Sequence, residues 1–247
     1  MSSKLLDSDF ISYISGFDLI CLTKTWAHDS KQFNLQDYFS INLARHKINH
    51  YGRHSGGLSL FIKNSIIESV AQLPSVIEDL LWVKIDFKNT YVIHSLLVCV
   101  AYFTPAGSSQ YANELAFQVL EDELANYSTK NNECPVVVCG DFNARTGSLP
   151  DFIDYSSNKF LPVDVPSPGV DLPIRESQDS GVNEYGRHLL DLCKNTNLKI
   201  ANGRFFKEQG SGDFTFIKEN GGSVVDYFLL SCDLFRWLSN FLYKHKN

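Results

Sequence analysis

Asp141 and Asn143 stand two residues apart where the apolar run Val136-Val137-Val138-Cys139-Gly140 ends, so a β-type segment closes on an acid and an amide. Open α/β sheets place their ligands beyond the carboxyl ends of the strands, which makes this a position from which side chains reach a substrate. Alternate side chains of an extended segment share a face, which predicts Asp141 and Asn143 on one side and Phe142 turned back into the core. Gly140, lacking a Cβ, lets a neighbouring backbone or a ligand come close. A carboxylate placed there can orient and deprotonate water. A neutral amide beside it can hold a phosphate oxygen without adding a second repelling charge. The alternative for the same residues is an Asx-turn closing a core strand.

The elements that must position this pair are readable from spacing. Leu6, Phe10, Ile14 and Phe17 recur at helical intervals before the apolar run Asp18-Leu19-Ile20-Cys21-Leu22, which predicts a helix handing over to a buried strand. Gly56-Gly57 followed by Leu58-Ser59-Leu60-Phe61-Ile62, then Leu80 to Phe87, then Tyr91 to Tyr102 read as successive strands of one sheet, with Asn89-Thr90 as a hairpin turn. A helix with Leu115, Val119, Leu120, Leu124 and Tyr127 as its stripe precedes the Asp141 strand. The stretch from Pro150 to Gly181, rich in proline, aspartate, serine and glycine, reads as a long surface loop. Asn183 to Thr196 returns to helical spacing, and Leu198 to Gly203 gives a strand and turn. Phe214 to Ile217 and Val224 to Leu230 read as two strands of a hairpin turning at Asn220-Gly221-Gly222.

Composition narrows the function classes. The 247 residues carry a net charge of −6, 44% hydrophobic and 20% charged residues, the balance of a soluble globular chain, here expected as a single domain over 1–247. No apolar run reaches the length of a membrane span and the start lacks the pattern of a secretory signal, so a membrane role is not expected and an intracellular, cytoplasmic or nuclear, location is. The six cysteines are scattered without a Cys-x-x-Cys pair, and Cys21, Cys99 and Cys139 lie in apolar runs, as buried thiols of a reducing compartment do. No lysine or arginine stripe marks tight nonspecific DNA binding, although a local basic rim is compatible with the net charge.

Three further segments stand in order around the opening motif: Asp18-Leu19-Ile20-Cys21-Leu22-Thr23-Lys24-Thr25-Trp26, Cys99-Val100-Ala101-Tyr102-Phe103-Thr104-Pro105 and Ser223-Val224-Val225-Asp226-Tyr227-Phe228-Leu229-Leu230-Ser231. With the Asp141 strand they resemble the endonuclease/exonuclease/phosphatase superfamily, most nearly the apurinic-type endonuclease domains of non-LTR, LINE-like retrotransposons. Asn183 to Cys193, with Leu198 to Gly203, is similar to the helix and strand those elements carry after the central loop. The likeness covers nearly the whole chain.

The resemblance implies a two-sheet α/β sandwich flanked by helices, of the DNase I-like type, with a phosphodiesterase site at converging strand ends, Mg²⁺ as the ion and DNA as the substrate. It implies that Asp141 orients the attacking water, Asn143 holds the scissile phosphate, Tyr102 donates to a phosphate oxygen, Asp226 stands opposite as an orienting carboxylate, and Thr215 lines the same pocket. Each residue also has an ordinary structural reading. Tyr102 can be a half-buried tyrosine at a strand end, Thr215 a β-former in a Phe-Thr-Phe strand, and Asp226 an aspartate paired within the fold. Asn183, Arg187 and Arg175 can touch phosphate, or cap a helix and lie in solvent.

Two departures from the family pattern bear on activity. Lys24 stands where the resemblance implies the principal metal-binding glutamate; an ammonium cannot coordinate Mg²⁺, and the exchange turns local attraction for the ion into repulsion. The histidine motif implied after the Asp226 strand is missing, since Ser231 to Asn247 holds only His245 in a Lys-His-Lys tail, and His28, His46, His50, His54, His94 and His188 have no motif context. By the same comparison a first and a last strand are missing, which would leave sheet edges exposed and stability marginal. The expectation is therefore a retroelement endonuclease domain, descended from a reverse-transcriptase polyprotein, with severely impaired hydrolysis and weak Mg²⁺ binding. The alternatives are a catalytically dead nucleic-acid-binding relic and, from the same superfamily, a lipid-headgroup or inositol-phosphate hydrolase.

Overall fold

A computed structural model of the chain describes residues 7–26, 33–44, 56–87, 93–107, 113–131, 134–153, 172–204, 212–219 and 221–237. The chain divides into two compact units, Met1–Phe142 and Asn143–Asn247.

The first unit is a sandwich of two sheets. β1 (Leu19–Thr23), β2 (Tyr38–Leu43) and β3 (Leu58–Lys63) form an antiparallel sheet with β3 in the middle. β4 (Val70–Leu73), β5 (Leu80–Asp86) and β6 (Ser95–Tyr102) form an antiparallel run, to which β7 (Val136–Asp141) adds in parallel. A parallel neighbour requires a crossover, supplied by α2 (Asn113–Lys130). The strand after Gly56-Gly57 therefore does not share a sheet with the two that follow it, as its apolar text suggested. The reason is that β3 is buried on both faces. Leu58, Leu60 and Ile62 pack against Leu81, Val83 and Val100 between the sheets, while Phe61 packs with Ile14, Ile20 and Tyr38 on the far side. A strand covered on both faces reads as a continuous apolar run whichever sheet it joins.

Helices cover the outer faces. α1 (Ser8–Ile14) begins at Asp7, whose carboxylate accepts the N–H groups of Asp9 and Phe10, and it buries Ile14, whereas Phe17 lies past its end and is exposed. On α2, Phe117, Leu120, Leu124 and Tyr127 are buried and Leu115 is exposed, so Phe117 takes the place in the stripe expected of Leu115. Tyr127 meets Trp82 edge-on at 5.3 Å and Phe117 meets Phe103 at 4.6 Å. The buried carboxylate of Glu123 accepts Trp82 Nε1 at 2.8 Å and Val76 N–H at 2.8 Å, satisfying a charge on the helix face turned to the sheet. Cys99 and Cys139 are buried in the strands as free thiols, and a hydrogen bond with Cys21, together with burial, holds the Cys139 thiol well above its ordinary pKa.

In the second unit α3 (Glu184–Thr196) is capped by Asn183 and ends on Asn197 in the left-handed conformation, burying Leu189, Leu190, Leu192 and Cys193. β8 (Leu198–Ile200) pairs antiparallel with β11 (Asp226–Ser231), and β9 (Phe216–Lys218) with β10 (Gly221–Ser223). Gly221 pairs with Lys218, so both glycines lie in the returning strand rather than in the turn, and Val224-Val225 is a connection between β10 and β11. The stretch read as a surface loop is buried at Asp151, Arg175 and Asp179. Asp151 accepts Ile200 N–H at 2.7 Å and pairs with the buried Arg204, so charges that look solvated in sequence are neutralised inside. The segment between those described ends, the Asn89-Thr90 turn and Asn220 lie outside the described residues. No helix among the described residues is long and apolar enough to cross a membrane.

Gly140 sits at φ +147°, and a Cβ there would fall on the backbone carbonyl of Ala101 in the neighbouring strand. Gly140→Ala should therefore lower stability by about 2–4 kcal/mol, read as a fall in the urea midpoint of the full chain at unchanged slope.

Candidate functional site

Three of the expected site residues meet in the first unit. Parallel pairing of β6 with β7 sets Tyr102 and Asp141 abreast as the last partners of the ladder, and both are buried. Backbone bonds fix them: Tyr102 N–H donates to Asp79 at 2.9 Å, and Phe103 N–H donates to the Asp141 carbonyl at 2.9 Å. Phe142 is fully buried against Phe103, as alternation predicted. Lys24 arrives from the end of β1. Its ammonium forms an ion pair with Asp141 Oδ2 and lies 5.6 Å from the centroid of the Tyr102 ring. The lysine side chain is 37% exposed and the aspartate 2%, so the cation has one side in water while the carboxylate is held in the protein.

Asn143, Asp226 and Thr215 belong to the second unit. β7 ends at Asp141 and Asn143 has φ +48°, so the strand alternation that put the acid and the amide on one face does not extend to the amide. Asparagine tolerates this left-handed turn better than most residues. Asn183 holds it there: its Nδ2 donates to the Asn143 carbonyl at 3.0 Å, while its Oδ1 accepts Arg145 N–H at 2.8 Å and Gly186 N–H at 2.7 Å. The helix cap read from sequence is thus also the clamp of the Asn143 segment.

Asp226 opens β11 half-buried. Thr215 Oγ1 accepts the N–H groups of Val225 at 2.9 Å and Asp226 at 3.1 Å. Asn202 Nδ2 donates to the Asp226 carbonyl at 3.1 Å, and Asn202 Oδ1 accepts Phe228 N–H at 2.9 Å. Thr215 and Asn202 therefore hold the Asp226 backbone from either side.

Asp179 was missed in sequence. It is buried, takes the Arg145 guanidinium in a two-pronged pair (2.9 and 2.5 Å), and accepts Gly181 N–H at 2.8 Å and Val224 N–H at 3.1 Å. It thereby ties the strand-end segment carrying Asn143 to the approach to Asp226. Nothing local marks it, since aspartate is ordinary in a stretch rich in turn residues.

Other candidates resolve differently. Arg175 is not solvated at the surface: it is buried, donating to Thr146 Oγ1 at 3.0 Å and the Leu149 carbonyl at 2.6 Å, and burial lowers its pKa. Arg187 and His94 are exposed and His188 is half-buried; His28, His46, His50, His54 and His245 lie outside the described residues.

Magnesium needs hard oxygen donors around an open position. Among the described residues no group of three or more His, Cys, Asp or Glu side chains could hold a metal ion, and the ammonium of Lys24 is set on Asp141. The Lys24 ammonium thus occupies the Asp141 oxygen from which a divalent ion at this strand end would draw a ligand.

The model of the endonuclease/exonuclease/phosphatase family matches residues 4–236. The chain belongs to that family. Among solved structures this family member is similar to an AP endonuclease from Leishmania major (TM-score 0.61, 14% identity, 95% of this chain and 77% of that one). It is also similar to the APE2 catalytic domain of Xenopus laevis (0.58, 15%, 95% and 80%). A third is a 3′ phosphatase from Neisseria bound to product DNA hairpin (0.52, 12%, 92% and 83%). At these identities the likeness is one of fold: the DNase I-like α/β architecture expected from the motifs is the one observed. No curated protein sequence matches the chain.

Burial alone would raise the pKa of Asp179, but the Arg145 hydrogen bonds, the Gly181 and Val224 N–H groups and the Arg145 charge outweigh it, and the net shift is downward. A carboxyl whose folded pKa lies below the unfolded value, near 3.9, contributes stability above that value and loses it as pH falls through the folded one. The stability gap between the natural chain and Asp179→Asn should hold near neutral pH and shrink below about pH 4, measured by urea unfolding across that range.

Proposed function

We propose that this chain is a retrotransposon-type endonuclease domain whose Mg²⁺-dependent hydrolysis of DNA phosphodiesters is severely impaired. The observation that carries the reading is the Lys24–Asp141 ion pair. Phosphodiester hydrolysis asks for an aligned water, charge neutralisation at the phosphate and donors aimed at its oxygens. On this reading Asp141 aligns the water, Asn143 and Tyr102 address the phosphate, Asp226 orients and Thr215 lines the pocket. The ammonium gives Asp141 its counter-charge where the motif resemblance puts a metal carboxylate. A cation fixed by its own side chain neutralises the carboxylate without offering open coordination to a phosphate oxygen.

The reading treats residues 1–247 as one domain, supported by a family match that runs across both compact units. DNA as substrate is supported by the DNA-bound relative and by the phosphodiester chemistry of the motif set. Descent from a reverse-transcriptase polyprotein rests on the motif resemblance, and an intracellular location on the scattered cysteines in apolar runs. A second reading, a catalytically dead domain that still binds nucleic acid, is favoured by the part-exposed ammonium of Lys24, which can meet a phosphate directly.

The purified full chain should give no nicking of supercoiled plasmid in Mg²⁺ above that of Asp141→Ala; strand cleavage abolished by that substitution would overturn the impairment. Lys24→Glu should tighten Mg²⁺ binding at least about tenfold, equivalent to roughly 1.4 kcal/mol, by isothermal titration calorimetry. Equal binding by both proteins would remove Lys24 as the cause.

A further inference from the structure

Beside the ion pair the backbone is held in an expensive conformation. Lys24 has φ +53° and Trp26 φ +51°, with the buried Thr25 between them. Among the described non-glycine residues with positive φ, namely Lys24, Trp26, Asp37, Asn143 and Asn197, Trp26 alone is aromatic. A bulky side chain in this region is a genuine outlier, and such strain persists only where the surroundings impose it. Here they do: Trp26 N–H donates to the Gly56 carbonyl at 2.9 Å and Thr25 N–H to the Gly57 carbonyl at 3.3 Å. Gly57 itself is at φ +86°, and a Cβ on it would stand 2.7 Å from Thr25 Oγ1.

Packing does not explain what is held. Trp82 is fully buried and bonded to Glu123, as a core tryptophan should be, but Trp26 is 56% exposed. The fold thus holds the backbone of a turn that leaves the indole more than half exposed, two residues from the ammonium on Asp141. An exposed aromatic ring two residues along the chain from a fixed cation suits a nucleic-acid strand: a base stacks on the ring while a phosphate of the same strand meets the charge. A lipid headgroup or an inositol phosphate would use the cation and leave the ring idle.

We propose that Trp26 is a stacking platform for an unpaired base of a nucleic-acid strand whose phosphate lies at Lys24. The proposal rests on the reading of the Asp141 end as a phosphodiester site and does not depend on whether that site cleaves. It makes Trp26 a specificity residue, selecting a single-stranded or unpaired region over a stacked duplex, and makes binding independent of Mg²⁺.

The test uses the full chain in EDTA with fluorescein-labelled oligo(dT), followed by anisotropy and by tryptophan emission. The natural chain binds with quenching; Trp26→Ala loses about 5- to 100-fold in affinity and most of the quenching, while Trp26→Phe stays within about threefold. Trp26→Gly, which relieves the strained φ, loses binding like alanine yet melts no lower than the natural chain. Retention of a soluble inositol phosphate probe by Trp26→Ala is also expected, since only the base is lost. Unchanged oligonucleotide affinity in Trp26→Ala, no binding by the natural chain, or a marked fall in melting temperature in Trp26→Gly would each overturn the proposal. Plasmid cleavage would instead sink the impairment reading and leave the stacking role standing.

Discussion

A carboxylate taken out of water must be met by a cation or by several donors, and this constraint organises both units of the chain. Asp141 is met by Lys24, Asp179 by Arg145 and two backbone N–H groups, Asp151 by Arg204 and Ile200 N–H, and Glu123 by Trp82, Ser75 and Val76. Apart from the Gly181 N–H on Asp179, each partner comes from another part of the chain, so satisfying the charge also fixes where those segments lie. Lys24 brings the end of β1 to the end of β7, and Asp179 brings the Asn143 segment to the approach of β11 within the second unit.

The same constraint decides what the site can do. Strand-end carboxylates and amides are held by protein groups: a lysine for Asp141, the Asn183 clamp for Asn143, and Thr215 with Asn202 for the Asp226 backbone. Electrostatic stabilisation in catalysis depends on charge offered to the reacting group, not on charge already spent within the protein. The Lys24 ammonium is bound to a buried carboxylate, with its side chain 37% exposed.

The strained turn after β1 carries this lysine. Positive φ at both Lys24 and Trp26 costs stability that hydrophobic burial does not return, because Trp26 is largely in solvent. Natural chains keep such conformations where a side chain must be presented in one direction. The cation and the exposed ring are presented by the same three-residue segment, anchored on the Gly56 and Gly57 carbonyls.

Much of this was legible in the chain read as text. Runs of Val, Ile and Leu located β1, β3, β5, β6 and β7, the spacing of Leu189 and Leu192 located α3, and Asn183 announced its cap, because these depend on residues near one another in sequence. The ordered motifs around Asp141 carried the family and its fold. Partner choice was not legible: β3 reads the same in either sheet because both its faces are covered, so only packing assigned it to β1 and β2. Nor was the burial of Asp151, Arg175 and Asp179, since a charged residue in a turn-rich stretch looks solvated until its counter-charge arrives from elsewhere. Lys24 shows the boundary best. Its type and place were legible, and the motif resemblance implied a carboxylate there, while its contact with Asp141 and Tyr102 came from bringing β1 to the ends of β6 and β7, a long-range arrangement no local pattern encodes.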